Sequence, residues 1–117
     1  MEADKPYDLT TIYAISDGNT EFLNQLLVVF TDSLGLDINT MKQAAANNNW
    51  TEVGQIAHKI KPSLSHFEIT SVADAIRGLE HNNGSDPENL SLLINKLTTV
   101  LEAVIAGLKN EFPDVLK

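Results

Sequence analysis

Residues 50–67 of the chain read WTEVGQIAHKIKPSLSHF, and this stretch decides the fold. Its apolar residues recur at intervals of three and four, so they share one face of an α-helix. They are Trp50, Val53, Ala57, Ile60, Leu64 and Phe67. Asn49 precedes this run, and Glu52 follows Asn49 by three positions, the spacing of a helix N-terminal capping box with Asn in place of Ser or Thr. The stretch therefore predicts an amphipathic helix.

Pro62 lies inside this predicted helix and allows two interpretations. A proline in a helix interior removes a backbone hydrogen bond and costs about 3 kcal/mol. One helix could therefore end near Ile60 and a second begin at Pro62. The apolar spacing passes the proline without a change of phase, however, which favours one kinked helix.

The same helical period extends outward in both directions. It predicts a long helix over 20–46, preceded by a short helix over 8–14 and the turn Asp17-Gly18-Asn19. A third helix is predicted through Ile69, Val72, Ile76 and Leu79. Residues 81–88 end this helix and start the next one, with Ser85 or Asp86 as the N-terminal cap. The last predicted helix follows and is bounded by Pro113. The prediction is an all-α fold, an antiparallel four-helix bundle with a short additional N-terminal helix, as a single domain over 1–117.

Composition narrows the possible functions. Sixteen acidic and eight basic residues give a net charge of −8, which argues against nucleic-acid binding. No cysteine is present for a disulfide or a thiolate metal site. The longest strongly apolar run, residues 26–30, is far shorter than the roughly 20 residues of a membrane span. The acidic start MEADKPYD is unlike a signal peptide, so we expect a cytoplasmic protein, and Met1 with the compact length favours a free one.

His58 is the residue that calls for a chemical interpretation. On a helical wheel it lies about 135° from the centre of the apolar face, on the predicted solvent side. Gly54, Pro62 and Ser65 lie within about 40° of it, and Lys61 follows one turn later. Val53 to Phe67 contains no acidic residue. This face is either an ordinary solvated surface or a small positive island around a histidine that a second protein can reach.

The histidine fits few kinds of chemistry. No Ser/His/Asp or Cys/His arrangement, glycine-rich phosphate loop or kinase motif is present. The remaining histidines are His66 and His81, and His58 and His66 are eight positions apart, a poor spacing for two ligands of one metal. We therefore expect no metal site. An exposed imidazole is a good nucleophile near neutral pH, and it can accept a phosphoryl group.

AHKIKPSLSHF, residues 57–67, resembles the phosphoacceptor motif of histidine-containing phosphotransfer (HPt) domains, His-x-[Leu/Ile]-Lys-Gly followed by small residues. The segments YDL, GNTEFLNQLLVVF and NNNW extend the resemblance. It implies a four-helix bundle in which His58 is phosphorylated, Lys61 stabilises the phosphate, Ile60 fills the core and Ser65 keeps the face open. Two residues depart from the family pattern, because Pro62 and Glu68 stand where glycines are usual.

The resemblance implies a phosphocarrier in a two-component phosphorelay rather than an enzyme. Its partners would be response-regulator receiver domains or a hybrid histidine kinase, with Mg²⁺ on the receiver and no cofactor on this chain. Gly54, Lys59, Pro62 and Ser65 would form the access and docking surface, with exposed residues of the helix over 20–46. We expect a monomer. The alternatives are a helical adaptor whose histidine is never phosphorylated and a metal-binding bundle.

Overall fold

The computed structural model describes residues 5–116, which form five α-helices and no strand. The helices are α1 (Thr10–Ser16), α2 (Thr20–Ala46), α3 (Trp50–His66), α4 (Ala73–Glu80) and α5 (Pro87–Glu111). The predicted all-helical class is confirmed, and α2 has the predicted bounds. Residues 1–4 and 117, which the predicted domain and the predicted N-terminus include, lie outside the described part of the chain.

The short N-terminal helix begins two residues later than predicted. Asp8 remains outside α1, and its carboxylate accepts a hydrogen bond from the backbone N–H of Thr10 at 2.8 Å. An aspartate that binds a backbone N–H in this way favours a helix start over a helix interior. The turn that follows α1 is as predicted, because Asp17 and Gly18 have φ values of 49° and 79°.

α3 is a single helix through Pro62, so the interpretation of two helices that meet at the proline is wrong. Asn49 caps its start by accepting a hydrogen bond from the backbone N–H of Glu52 at 3.2 Å. Six residues of the helix are buried and form one face, as the apolar period requires. They are Val53, Gly54, Ile56, Ala57, Ile60 and Leu64.

α4 is shorter than the predicted third helix. Ile69 and Val72 are buried as expected, but they precede the helix, which begins at Ala73. Glu68, with φ of 52°, ends the preceding turn in the left-handed region, and the chain needs residues 69–72 to change direction before the next helix can start. The structure therefore has the expected five helices, but α4 is short where a fourth substantial helix was expected.

The core lies among α2, α3, α4 and α5. α2 packs against α3 and α5, α4 packs against the same two helices, and α1 packs against α2. Phe30 of α2 stacks on Phe67, the residue that follows α3, with ring centroids 3.7 Å apart. This contact holds the end of α3 against α2.

α5 is the described helix that has the length and composition of a membrane span, with a mean hydropathy of 1.5 over its most apolar 18 residues. Core helices of soluble proteins meet the same criterion.

Asp86 caps the start of α5 by accepting a hydrogen bond from the backbone N–H of Asn89, and Pro87 occupies the first turn. Of the two predicted caps, Asp86 is therefore the one used.

Candidate functional site

His58 lies on the solvent side of α3, as the helical wheel predicts. Its side chain is 73% exposed, whereas its neighbour Ala57 and Ile60 on the same helix are buried in the core. A partner can therefore reach the imidazole without moving any part of the bundle.

Glu80, the last residue of α4, contacts the imidazole directly. Its Oε2 forms a hydrogen bond with Nδ1 of His58, and its Oε1 accepts a hydrogen bond from Nζ of Lys61 at 2.8 Å. One carboxylate thus joins the histidine and the lysine, with one oxygen for each. We call His58, Lys61 and Glu80 the carboxylate-linked triad.

The ionisation of Glu80 fixes which imidazole nitrogen carries the proton. The ammonium of Lys61 and then the hydrogen bond to His58 lower the pKa of Glu80 from 4.5 to about 2. At neutral pH the carboxylate is ionised, and an ionised carboxylate can only accept hydrogen bonds. Nδ1 of His58 must then be the donor, so in the neutral imidazole Nε2 carries the free lone pair.

The position of Glu80 at a helix C-terminus explains why it needs these partners. The C-terminal end of a helix carries partial negative charge, which disfavours an acidic side chain. Lys61 and His58 offset that charge from the neighbouring helix. The carboxylate is itself largely covered, with 12% of its side chain exposed, whereas half of the Lys61 side chain is exposed.

Gly54 lets the end of α4 lie close to α3, a role that differs from the predicted one. We expected Gly54 to keep the solvent face open, but it is buried. A β-carbon at this position would lie 3.0 Å from the carbonyl oxygen of Leu79 and 3.3 Å from that of Glu80. Glycine therefore permits the close approach of α4 that brings Glu80 to His58.

The two lysines beside His58 are not a free positive island. Nζ of Lys59 lies 2.8 Å from Oδ1 of Asp37, a buried residue of α2, just as Lys61 is paired with Glu80. The sequence pattern showed no acid within this part of α3, but acids from α2 and α4 supply the partners. Pro62 and Ser65 are exposed, which leaves a compact surface beside the histidine, as predicted.

An exposed apolar surface lies on α2, on the other side of α3 from Glu80. Val29 and Leu36 are 66% and 60% exposed, and Val28 beside them is also exposed. Val29 and Leu36 line a groove between α2 and α3 that Lys59 also borders. We call Val28, Val29 and Leu36 the α2 patch.

Within residues 5–116, no group of three or more His, Cys, Asp or Glu side chains is placed to hold a metal ion. His66 is exposed on α3, and His81 follows Glu80 with its Nε2 3.8 Å from Oε1 of that residue.

Sequence reasoning missed Glu80. Two signals could have indicated it: an acidic residue at the end of a predicted helix, where the helix dipole disfavours it, and two lysines in the stretch from Val53 to Phe67, which contains no acid. The pairing itself depends on how α4 packs against α3, which the helical period does not specify.

The family model described as the Hpt domain matches residues 25–110, most of the chain. The chain belongs to the Hpt domain family. The match spans all three residues of the carboxylate-linked triad and leaves α1 outside it. Domains of this family serve histidine phosphotransfer in phosphorelays, and they interact there with receiver domains and histidine kinases. No curated protein and no solved structure matches the chain.

Proposed function

We propose that this Hpt domain is a phosphocarrier that accepts a phosphoryl group on His58 from the aspartyl phosphate of one receiver domain and passes it to the aspartate of another. The observation that carries the proposal is the hydrogen bond from Nδ1 of His58 to the ionised Glu80. It leaves Nε2, on a largely exposed side chain, as the nucleophile.

The transfer is an in-line displacement at phosphorus. The Nε2 lone pair forms a bond to phosphorus as the bond between phosphorus and the aspartyl oxygen breaks, and the receiver aspartate leaves as a carboxylate. The imidazole gains positive charge, which the carboxylate of Glu80 stabilises through the Nδ1–H. The reverse displacement by a second receiver aspartate restores the neutral imidazole.

The remaining chemistry belongs to the receiver in this proposal. It would supply Mg²⁺ and the acidic pocket that holds the phosphoryl group, so the Hpt domain needs no bound cofactor and serves as a substrate rather than as the enzyme. Lys61, one turn beyond His58, would offset the charge of the phosphoryl group.

The surface around His58 supports docking of another protein. The α2 patch offers exposed apolar side chains on one side of the histidine, and Pro62 and Ser65 on α3 are compact enough to let a partner approach the ring. Exposed apolar side chains grouped on one face are typical of protein interaction sites. We propose this surface for the receivers, on a monomeric, cytoplasmic protein.

The predicted antiparallel arrangement is part of the same proposal. Three residues, 47–49, connect α2 to α3, and six residues, 81–86, connect α4 to α5. Short connections favour antiparallel neighbours in a helix bundle. Such a bundle gives α3 a rigid base on which the exposed histidine is held.

The test is transfer of a radiolabelled phosphoryl group from a phosphorylated receiver in the presence of Mg²⁺. We expect label on the unaltered protein as an acid-labile, base-stable phosphoramidate, and none on His58→Gln. His66→Gln is the matched control, because it removes an exposed histidine from the same helix and should leave labelling unchanged. Label retained by His58→Gln would exclude His58 as the acceptor. Binding of receivers without labelling of the unaltered protein would favour the adaptor function instead.

A further inference from the structure

Two anions would compete for the single ammonium group of Lys61. In the structure Nζ of Lys61 binds Oε1 of Glu80 at 2.8 Å. The proposed function gives the same ammonium a second anion, the phosphoryl group on Nε2 of His58. Because Glu80 holds both the imidazole and the ammonium, the two anions would lie on either side of one ring and within reach of one lysine.

The lysine is the partner that is free to move. Its side chain is half exposed, and a lysine carries its charge on a flexible four-carbon stem. Glu80 is largely covered, sits at the end of α4 and keeps a second hydrogen bond to His58. The carboxylate therefore stays in place while the ammonium can turn toward Nε2.

We propose that phosphorylation of His58 moves the ammonium of Lys61 from Glu80 to the phosphoryl group, so that Glu80 acts as a competing anion for this lysine. The inference rests on the proposed function. A phosphoryl group carries about −1.5 to −2 charges near neutral pH and attracts the ammonium more strongly than a single carboxylate does. Glu80 is thus a positioning residue that holds the imidazole and limits how tightly the site retains the phosphoryl group.

The competition suits a carrier, which must release what it accepts. When the phosphoryl group leaves, Lys61 returns to a partner that is already in place, and the freed lysine is not left unpaired. In the unphosphorylated protein, the other nearby side chains that can carry positive charge do not take the place of Lys61 beside Glu80. Nε2 of His81 is 3.8 Å from Glu80, beyond hydrogen-bonding distance, and Arg77 is paired with Asp74 at 3.0 Å.

A double-mutant cycle on chemically phosphorylated protein tests the exchange. Phosphoramidate serves as the donor: its P–N bond breaks and ammonia leaves as the bond between phosphorus and Nε2 of His58 forms. The four proteins are the unaltered site, Lys61→Met, Glu80→Gln and the double variant, all with His66 and His81 changed to glutamine so that only His58 is labelled. Glutamine at position 80 keeps a carbonyl oxygen that can accept the Nδ1–H and removes the charge.

The readout is the pKa of the phosphoryl group, followed by ³¹P NMR as a function of pH. A bound ammonium lowers this pKa, so Lys61→Met raises it. In the Glu80→Gln background, where no carboxylate competes, we expect a rise of roughly 0.2 to 0.7 units, the range that an exposed ion pair supplies. With Glu80 present, we expect a smaller but measurable rise, less than half of that value, and no rise at all would overturn the proposal because the ammonium would then have stayed on Glu80.

Equal effects of Lys61→Met in the two backgrounds would overturn the exchange, and so would a larger effect with Glu80 present, because Glu80 would then position the lysine for the phosphoryl group. Absence of phosphohistidine from all four proteins would instead contradict the proposed function, since the small donor needs no docking surface. The two failures are therefore distinguishable.

Discussion

Two glutamates reach from the segment around α4 to another helix, and they do so for different purposes. Glu68, in the turn before α4, accepts hydrogen bonds from the backbone N–H and the hydroxyl of Thr11 at 3.3 and 3.2 Å. Glu80, at the end of α4, accepts hydrogen bonds from the side chains of His58 and Lys61.

The difference lies in what each carboxylate binds. Thr11 is in the first turn of α1, where backbone N–H groups have no partner within the helix. Glu68 supplies that partner and ties α1 to the turn between α3 and α4. Glu80 instead accepts hydrogen bonds from two exposed side chains, those of His58 and Lys61. A glutamate therefore connects two parts of the fold in one region and belongs to the candidate functional site in the other.

Among the variants that separate the two glutamates, the largest expected effect comes from Glu80→Ala, which removes the acceptor of the Nδ1–H. We expect the rate of transfer from a phosphorylated receiver to fall by roughly 10- to 100-fold, by analogy with the loss of an outer partner that orients a metal-ligating histidine. Rapid-quench measurement of the transfer rate tests this. Glu68→Ala is the control and should transfer at the rate of the unaltered protein. If the transfer rate fell equally in the two variants, the two glutamates would not differ in function.

Gly54→Ala tests whether the close approach of α4 serves the site. The added β-carbon would crowd the carbonyl oxygen of Leu79 at 3.0 Å, and we expect the free energy of unfolding to fall by about 1–3 kcal/mol. Because the shift displaces the end of α4 that carries Glu80, transfer should slow as well. Urea denaturation and the transfer assay measure the two effects. Gly35→Ala on α2, where a β-carbon meets nothing within 4 Å, is the matched control. A loss of stability with full transfer activity would show that the site tolerates a displaced α4.

Substitutions of Glu68 separate its hydrogen bonds from its backbone strain. Glu68 has φ of 52°, which costs a residue other than glycine roughly 1–2 kcal/mol. Glu68→Ala keeps that strain and loses both bonds to Thr11, so we expect a loss of about 1–2 kcal/mol in the free energy of unfolding. Glu68→Gly also relieves the strain and should be about 1 kcal/mol more stable than Glu68→Ala. Equal stability of the two variants, measured by urea denaturation, would contradict the strain.

The contacts of the two glutamates could not be predicted from the sequence, whereas several features of single helices could. Periodicity alone predicted the bounds of α2, the exposed side of His58 and the passage of α3 through Pro62, because each depends on spacing within one helix. The start of α4 and the burial of Gly54 depend on the approach of two helices. The pairing of Lys61 with Glu80 depends on the same packing across 19 positions of the chain. Such contacts leave no period in the sequence.

The smallest expected effect is the part of the pH dependence of stability that Glu80 supplies. Its pKa is lowered from 4.5 to about 2 in the folded protein, first by Lys61 and then by His58. A lowered folded pKa means that the ionised carboxylate stabilises the fold above about pH 4.5, and that this contribution is lost as the pH falls toward 2. The difference in unfolding free energy between the unaltered protein and Glu80→Gln should therefore shrink across that window, as urea denaturation at successive pH values would show. The shrinkage should be weaker when both proteins also carry Lys61→Met, which removes the largest cause of the shift. A difference that is the same at pH 3 and pH 7 would mean that the carboxylate gains nothing from its two partners.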